Sequence, residues 1–418
     1  MEPIKIFKEK LGDELGKKAL TSPSTYSLAR WLFVVKNPYP FQGLKQMTDL
    51  GLEMTAKAYN RKHPVCFTTA FFPDELVHAL DGVPFAPEVA AATATSLDLS
   101  PELLKYSEKM GMSRDLCSFH RVAGAGVPNH YFPVPDVYLA RSHLCDGAPQ
   151  LFRYLANKNN KPFYLLDVPS EYSESAIYYV AEQLEQLVFS LSELGIVNYD
   201  EQKLKTIIEQ SNQAREAQIE LNKVRSKYPG ILPGEQAVTL VYLHFLCQGL
   251  QKTTEIYRLL AREIEAKAEQ ENLNFRQPRL LWSHLIPFYH NEIFTLIEEL
   301  DVNIAFEEMN FVYWPPLDPE KPFISLARKV LSNPFIAPLE NRLSAMKKII
   351  DQFKIDGIIH FSHWGCRQAI GGVPILNQQV KKWGVGFLNL DADCVDQDNY
   401  FSGQIKTRLE SFVEMLTF

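Results

Sequence analysis

Short apolar runs alternate along this chain with longer segments of helical spacing. Val65–Thr68, Asp136–Ala140 and Lys161–Pro169 read as strands in the first half. Val83–Pro87 reads as a shorter extended segment. Arg279–Ser283, Asn303–Glu307, Gly357–Phe361 and Gly386–Asp391 read as strands in the second half. Between them the spacing predicts helices opening at Pro73, with proline in the first turn, within Leu97–Met110, and over Glu171–Leu194, Asn341–Phe353 and Ser402–Leu416. Strands that alternate with helices imply parallel sheets covered on both faces.

Two further stretches carry helical spacing without strands. Residues 1–63 contain a capped start at Ser22–Thr25, a break at Asn37–Pro40, and renewed spacing from Leu44 to Tyr59. Asp200–Tyr228 is charged and helical throughout, and Ala237–Gln270 continues as helix. The pattern divides into an N-terminal helical segment over 1–63, a first α/β domain over 64–199, a helical connector over 200–275 and a second α/β domain over 276–418. The fold class is α/β, with two parallel-sheet domains.

A length of 418 residues suits two or three domains, and 46% hydrophobic residues supports sizeable cores. The net charge of −7 offers no basic field for nucleic acid or an anionic membrane surface. No apolar run is long enough to span a membrane, and Met1–Lys10 lacks the apolar core of a secretory signal. A cytoplasmic protein is expected. In that compartment its six cysteines argue for metal, cluster or plain burial rather than disulfides.

Three cysteines share one context. Cys117 lies in a polar stretch after a predicted helix, Cys145 follows the strand that ends near Ala140, and Cys366 follows the Gly357 strand. Ligands in open α/β sheets bind at strand carboxyl ends. Three thiolates suit an iron–sulfur cluster with one iron left to another ligand. Structural zinc would want four ligands and a close cysteine pair, which is absent. Cys66 and Cys247 read as core packing. Cys394, among Asp391, Asp393 and Asp396, sits in an acidic setting that disfavours thiolate.

His120, His143, His360 and His363 fall near the candidate thiols, each by itself an ordinary hydrogen-bonding group. Glu75 and Glu88 flank the first domain's loops and read by default as solvated carboxylates. His120, His143, His363 and Glu75 are the candidate catalytic side chains. The aspartate group resembles a hard-metal site by type, but a polar loop explains it equally well. No P-loop, Gly-x-Gly-x-x-Gly or Gly-x-Ser-x-Gly is present, so the chain shows no ATP site of its own.

Several motifs in order resemble one family. Pro73–Pro84, Asp115–Ser118, Leu144–Gly147, Phe361–Gln368, Leu390–Asp396 and Gly403–Phe412 resemble the signatures of the 2-hydroxyacyl-CoA dehydratase / benzoyl-CoA reductase (D-component) family. Glu201–Ser226 resembles its interdomain helix, and the resemblance covers about residues 64–418. It implies two flavodoxin/Rossmann-like domains and a 4Fe–4S cluster held at the positions of Cys117, Cys145 and Cys366. It also implies pairing of two chains and a separate ATP-hydrolysing iron–sulfur activator that delivers a low-potential electron. In the dehydratases that electron makes a ketyl radical of a CoA thioester, and one cluster iron can bind substrate.

Val83–Ala91, Arg114–Arg121 and Ser142–Gly147 also resemble the family's double-cubane branch. Those proteins are homodimers that reduce small molecules at an 8Fe–9S cluster. The expected function is therefore an oxygen-sensitive iron–sulfur reductase fed by an activator, homodimeric and acting on a small molecule. The alternative is one subunit of a heterodimeric dehydratase or benzoyl-CoA reductase. A non-catalytic electron-transfer protein, or an α/β binding protein with unligated thiols, would belong to other classes.

Overall fold

Eight parallel-paired strands carry the fold among the described residues, which in this computed structural model are 21–36, 39–271, 276–336 and 338–417. The first sheet joins β1 (Val65–Thr68), β2 (Val83–Phe85), β3 (Val137–Arg141) and β4 (Phe163–Leu166) in the order β2-β1-β3-β4. The second joins β5 (Arg279–Ser283), β6 (Asn303–Glu307), β7 (Gly357–His363) and β8 (Gly386–Ala392) in the order β6-β5-β7-β8. Both orders are the same when counted within each half. In each, the direction of winding reverses between the first and third strands, which opens a crevice at their carboxyl ends.

Sequence explains why these strands lie inside. β1, β3 and β7 are buried at every position, as parallel strands covered on both faces must be. Phe67 stacks on Phe85 and meets Tyr138 edge-on at 5.3 Å on one face of the first sheet. Cys66, Val137 and Leu139 pack with Ile177, Val180 and Leu184 on the other. Cys66 is core, as its strand context suggested.

The helices mostly fall where the spacing placed them, with informative exceptions. The N-terminal segment is described from Thr21, as helices Pro23–Lys36 and Gln42–Asn60, and residues 1–20 lie outside the described residues. Leu97–Met110 holds the helix Ser100–Lys109, but a second helix, Pro87–Ser96, precedes it, and Asp98 turns the chain between them with φ 56°. The expected continuous helix over Ala237–Gln270 is broken into Gly234–Val238, Val241–Leu246 and Gln251–Glu271. Gly249 adopts φ +86° at the second break and stands against Ile207, a conformation and a fit that a side chain would oppose. Ile293–Glu299 and Pro322–Leu331 are helices the spacing did not announce. The latter packs on helix Glu174–Glu193, far away in sequence.

The connector helix Glu201–Lys227 ties the halves together through a line of polar contacts. Its N-terminus is capped by Asp200, which accepts from the backbone of Gln202 and Lys203. Ser211 donates to Glu75 of the first half at 2.7 Å. Arg215 donates to the Trp314 carbonyl, and Gln218 and Asn222 to that of Asn310, in the second. Arg225 closes the line with a bidentate pair to Glu307 at 2.9 and 2.8 Å.

Arg225 and Glu307 are buried, so removing one partner strands the other's charge. Arg225→Ala is expected to cost about 3–5 kcal/mol of unfolding free energy, of the size seen for broken buried pairs. Denaturant titration of the variant beside the parent measures it.

Candidate functional site

Three cysteines from three different segments lie near enough to act on one another electrostatically. Cys117 is the N-cap of helix Ser118–Gly126, Cys145 directly precedes the N-cap of Gly147–Asn159, and Cys366 is the N-cap of Arg367–Gly371. Cys145 and Cys366 follow the third strand of their sheets, β3 and β7, beside the crevices. Cys117 feels both other thiols electrostatically, and Cys366 feels Cys145.

The helix starts provide donors to each sulfur. The N–H groups of Phe119 and His120 bond Cys117, those of Gly147 and Ala148 bond Cys145, and those of Gln368 and Ala369 bond Cys366. The Gly147 N–H reaches Cys145 Sγ at 3.3 Å. Unpaired N–H groups at a helix start favour negative charge, so these bonds pull each thiol toward thiolate. Burial pulls harder the other way. It pushes Cys366 up to about 11, lifts Cys145, and with the neighbouring thiols raises Cys117 well above its ordinary value. Three sulfurs supplied with donors, whose thiolate form burial disfavours, are suited to a positive partner.

Three thiols with helix-start donors are groups of the kind that an iron–sulfur cluster takes from a protein. Among the described residues, no group of three His, Cys, Asp or Glu side chains closes on one metal ion. No fourth thiol is presented at a helix start among the described residues. Cys394 is fully buried and near enough to feel Cys117 and Cys366, but its thiol is raised well above its ordinary value by burial and by Asp393.

The turn carrying Cys366 is docked tightly on the Cys117 backbone. Gly365 has φ +76°, and a Cβ there would stand 2.7 Å from both Cys117 Cα and Cys117 N. Only glycine tolerates both that conformation and that approach. His363, two residues earlier, lies 3.2 Å from Cys117 Sγ through Nε2, and Phe119 meets its ring edge-on at 5.0 Å. Asp393 accepts from Ser118 Oγ at 2.6 Å and so joins the loop after β8 to the same helix start.

The other sequence candidates divide. His120 is buried, with Nε2 3.9 Å from Glu88 Oε1, and burial pushes it down to about 4. Its Nδ1 has no partner among the described residues and faces Gly147, where a Cβ would stand 2.9 Å away. His143 is half-buried beside Cys145 in the chain. His360 is structural, held between Ser283 Oγ at 2.8 Å and the Ala369 carbonyl at 2.9 Å. Glu75 is not at the thiols. It is fully buried and paired with Lys329 and Ser211. The default reading of Glu75 and Glu88 as solvated surface carboxylates does not hold, because the connector covers the first and helix packing encloses the second. Asp391 is exposed and near Arg408, while Asp393 and Asp396 are buried and engaged by Ser118 and Arg121, so the three form no metal site.

Two site residues carried weak sequence signals. His284 stands one residue past β5, with φ +77° and Nε2 3.9 Å from Cys366 Sγ. A histidine just beyond a strand end was the available signal. Glu88 shows one buried oxygen without a partner among the described residues, and it feels Cys145 and Arg141. Arg141, fully buried at the end of β3, has Nε and Nη1 likewise unpartnered there.

Comparison with known proteins bears on this arrangement. The model of the family "2-hydroxyglutaryl-CoA dehydratase, D-component" matches residues 69–416. The chain is 20% identical over 391 residues to the (R)-phenyllactyl-CoA dehydratase alpha subunit of Clostridium sporogenes, covering 89% of this chain and 94% of that one. It is 22% identical over 393 residues to the (R)-2-hydroxyisocaproyl-CoA dehydratase alpha subunit of Clostridioides difficile, covering 88% and 95%. It is 22% identical over 376 residues to a benzoyl-CoA reductase chain of Thauera aromatica, covering 82% and 86%.

Two outcomes follow from the geometry. Gly365→Ala is expected to cost about 1–3 kcal/mol, the scale of a strained left-handed residue, with the clash on Cys117 added to it. Thermal unfolding measures it. Burial pushes the Glu88 carboxyl up to about 7, against its own helix N–H and Arg141. A raised carboxyl gives stability that is full below the ordinary carboxylate pKa and lost as pH rises toward the folded value. The groups it faces are His120, Arg141 and Cys145. Glu88→Gln should therefore flatten the decline of melting temperature across that interval, about pH 4.5 to 7.

Proposed function

Because this chain belongs to the 2-hydroxyglutaryl-CoA dehydratase D-component family, we propose that it is the cluster-holding subunit of an enzyme acting on a CoA thioester, with 2-hydroxyacyl thioesters the first class to test. The observation that carries the reading is the convergence of Cys117, Cys145 and Cys366, each on the N–H groups of a helix start. These three would hold one 4Fe–4S cluster. A cluster bound there would supply one-electron chemistry.

A single cluster is favoured over the double cubane. A second cubane needs thiolates of its own. Cys66 and Cys247 have no helix-start donors, and burial pushes the Cys66 thiol up to about 12. Cys394 alone cannot replace them.

The chain's own residues have separable tasks. The helix-start N–H groups hold the sulfurs and offset part of their charge. The dehydration itself is redox-neutral: the C2–O bond breaks, a proton leaves C3, and the electron that started the reaction is returned. A proton-handling group is needed beside the site. Glu88 is assigned to it, because its Oε2 is buried without a partner among the described residues and burial pushes the carboxyl up to about 7. His120, pushed down by burial, stays neutral beside it. The family resemblance supports delivery of the electron by a separate ATP-hydrolysing activator. Several relatives are named as alpha subunits, which supports an assembly in which this chain works with a second subunit.

Anaerobically purified protein tests this. Cys117→Ser, Cys145→Ser and Cys366→Ser should each lose most of the iron, whereas Cys66→Ser and Cys247→Ser should keep it. Adding a 2-hydroxyacyl-CoA, but not free CoA, should change the cluster's electron paramagnetic resonance signal. Iron that survives loss of any of the three would end the ligand assignment. A signal indifferent to thioesters, in a protein that forms only a homodimer, would favour the small-molecule reductase. With activator present, Glu88→Gln should lower turnover about 100-fold or more, the scale of general acid–base catalysis, at unchanged iron content.

A further inference from the structure

We infer that His363 is a positioning residue that holds a fixed N–H donor on the sulfur of Cys117, and that the backbone of Cys394 and the carboxylate of Asp393 lock it in that form. The inference rests on the reading of Cys117 as a cluster ligand and goes beyond it. The geometry decides which ring nitrogen carries the proton. The Cys394 N–H points at His363 Nδ1 at 3.0 Å. A backbone amide is a donor only, so Nδ1 is an acceptor and carries no hydrogen. The neutral imidazole then has its proton on Nε2, and Nε2 lies 3.2 Å from Cys117 Sγ. Sulfur accepts and His363 donates.

A second layer fixes the first. Asp393 Oδ1 accepts from the Val395 N–H at 2.8 Å, the Asp396 N–H at 2.9 Å and Ser118 Oγ at 2.6 Å. These bonds hold the loop after β8 so that the Cys394 amide faces the imidazole. Asp393 itself stands 3.6 Å from Nδ1, beyond hydrogen-bond distance, and does not compete for that nitrogen. His363 is buried with 1% of its side chain exposed, and Phe119 braces its ring. Outer partners of this kind orient ligands and tune the metal they hold.

The consequence is electronic rather than proton-transferring. Hydrogen bonds to cluster sulfurs are among the levers that set the reduction potential. A donor on Cys117 stabilises the extra negative charge of the reduced state, and so raises the potential. His363 bridges the two halves of the chain, since Cys117 belongs to the first and β7 to the second. The potential is thereby made to depend on how the halves are joined. It also follows that Cys394 matters through its amide and not its thiol.

Potentiometric titration of the loaded full chain, followed by electron paramagnetic resonance, tests this. His363→Ala should shift the midpoint potential to a more negative value at unchanged iron content. His363→Gln keeps an N–H near the Nε2 position and should restore most of the shift. Cys394→Ser retains the amide and should leave the potential unchanged. An His363→Ala potential equal to that of the parent would overturn the inference, as would a Cys394→Ser shift as large as that of His363→Ala. Should His363→Ala fail to load iron, nitrogen-15 spectra of the histidines in the cluster-free full chain decide the matter. A protonated Nε2 and bare Nδ1 at His363 support the lock, and the opposite tautomer or an imidazolium overturns it. A parent protein that takes up no iron would instead sink the cluster reading, and the nitrogen spectrum would still report on the lock by itself.

Discussion

Three sulfur atoms drawn toward negative charge cannot share a buried crevice unless the backbone offers them donors. The crevice meets this constraint by starting a helix at each sulfur. Cys117, Cys145 and Cys366 each take two N–H groups that the first turn of a helix leaves unpaired. The strands β3 and β7 end where they do so that two of those helices open beside the crevice, and Gly365 lets the third join them without a clash. The arrangement is complete only when both halves are in place.

Holding two α/β units in one register falls to buried polar contacts rather than to apolar packing alone. The connector helix fixes Glu75 at one end and Glu307 at the other, and Asp393 and His363 tie the second half to the start of helix Ser118–Gly126. Such contacts are directional, so they specify one docking geometry where apolar surfaces would accept several. Their cost is that each is damaging to lose. Glu88 and His120, beside the crevice, are each left with one buried unpartnered atom among the described residues.

Much of this was legible in the sequence, and the reasons are physical. Buried parallel strands are continuous apolar runs, so Arg279–Ser283 and Asn303–Glu307 were read to the residue. The shared context of Cys117, Cys145 and Cys366 reflects strand ends and helix starts, which are local features. What depends on distant contacts was not legible. Helix Pro322–Leu331 is fixed by packing on Glu174–Glu193, the burial of Glu75 by a helix some hundred residues later, and the approach of His284 to Cys366 by the pairing of β5 with β7. The acidic neighbours of Cys394 are visible in the sequence, but no local pattern reveals that its amide meets His363.

The most direct measurement is iron and acid-labile sulfide per chain in anaerobically purified protein. One cluster on three thiolates predicts about four irons and about four sulfides per chain, with one iron spectroscopically distinct from its three thiolate-bound neighbours. Clearly more iron and sulfide than that would contradict a single cluster and restore the double cubane. An iron-free chain under strict exclusion of oxygen would contradict the account as a whole.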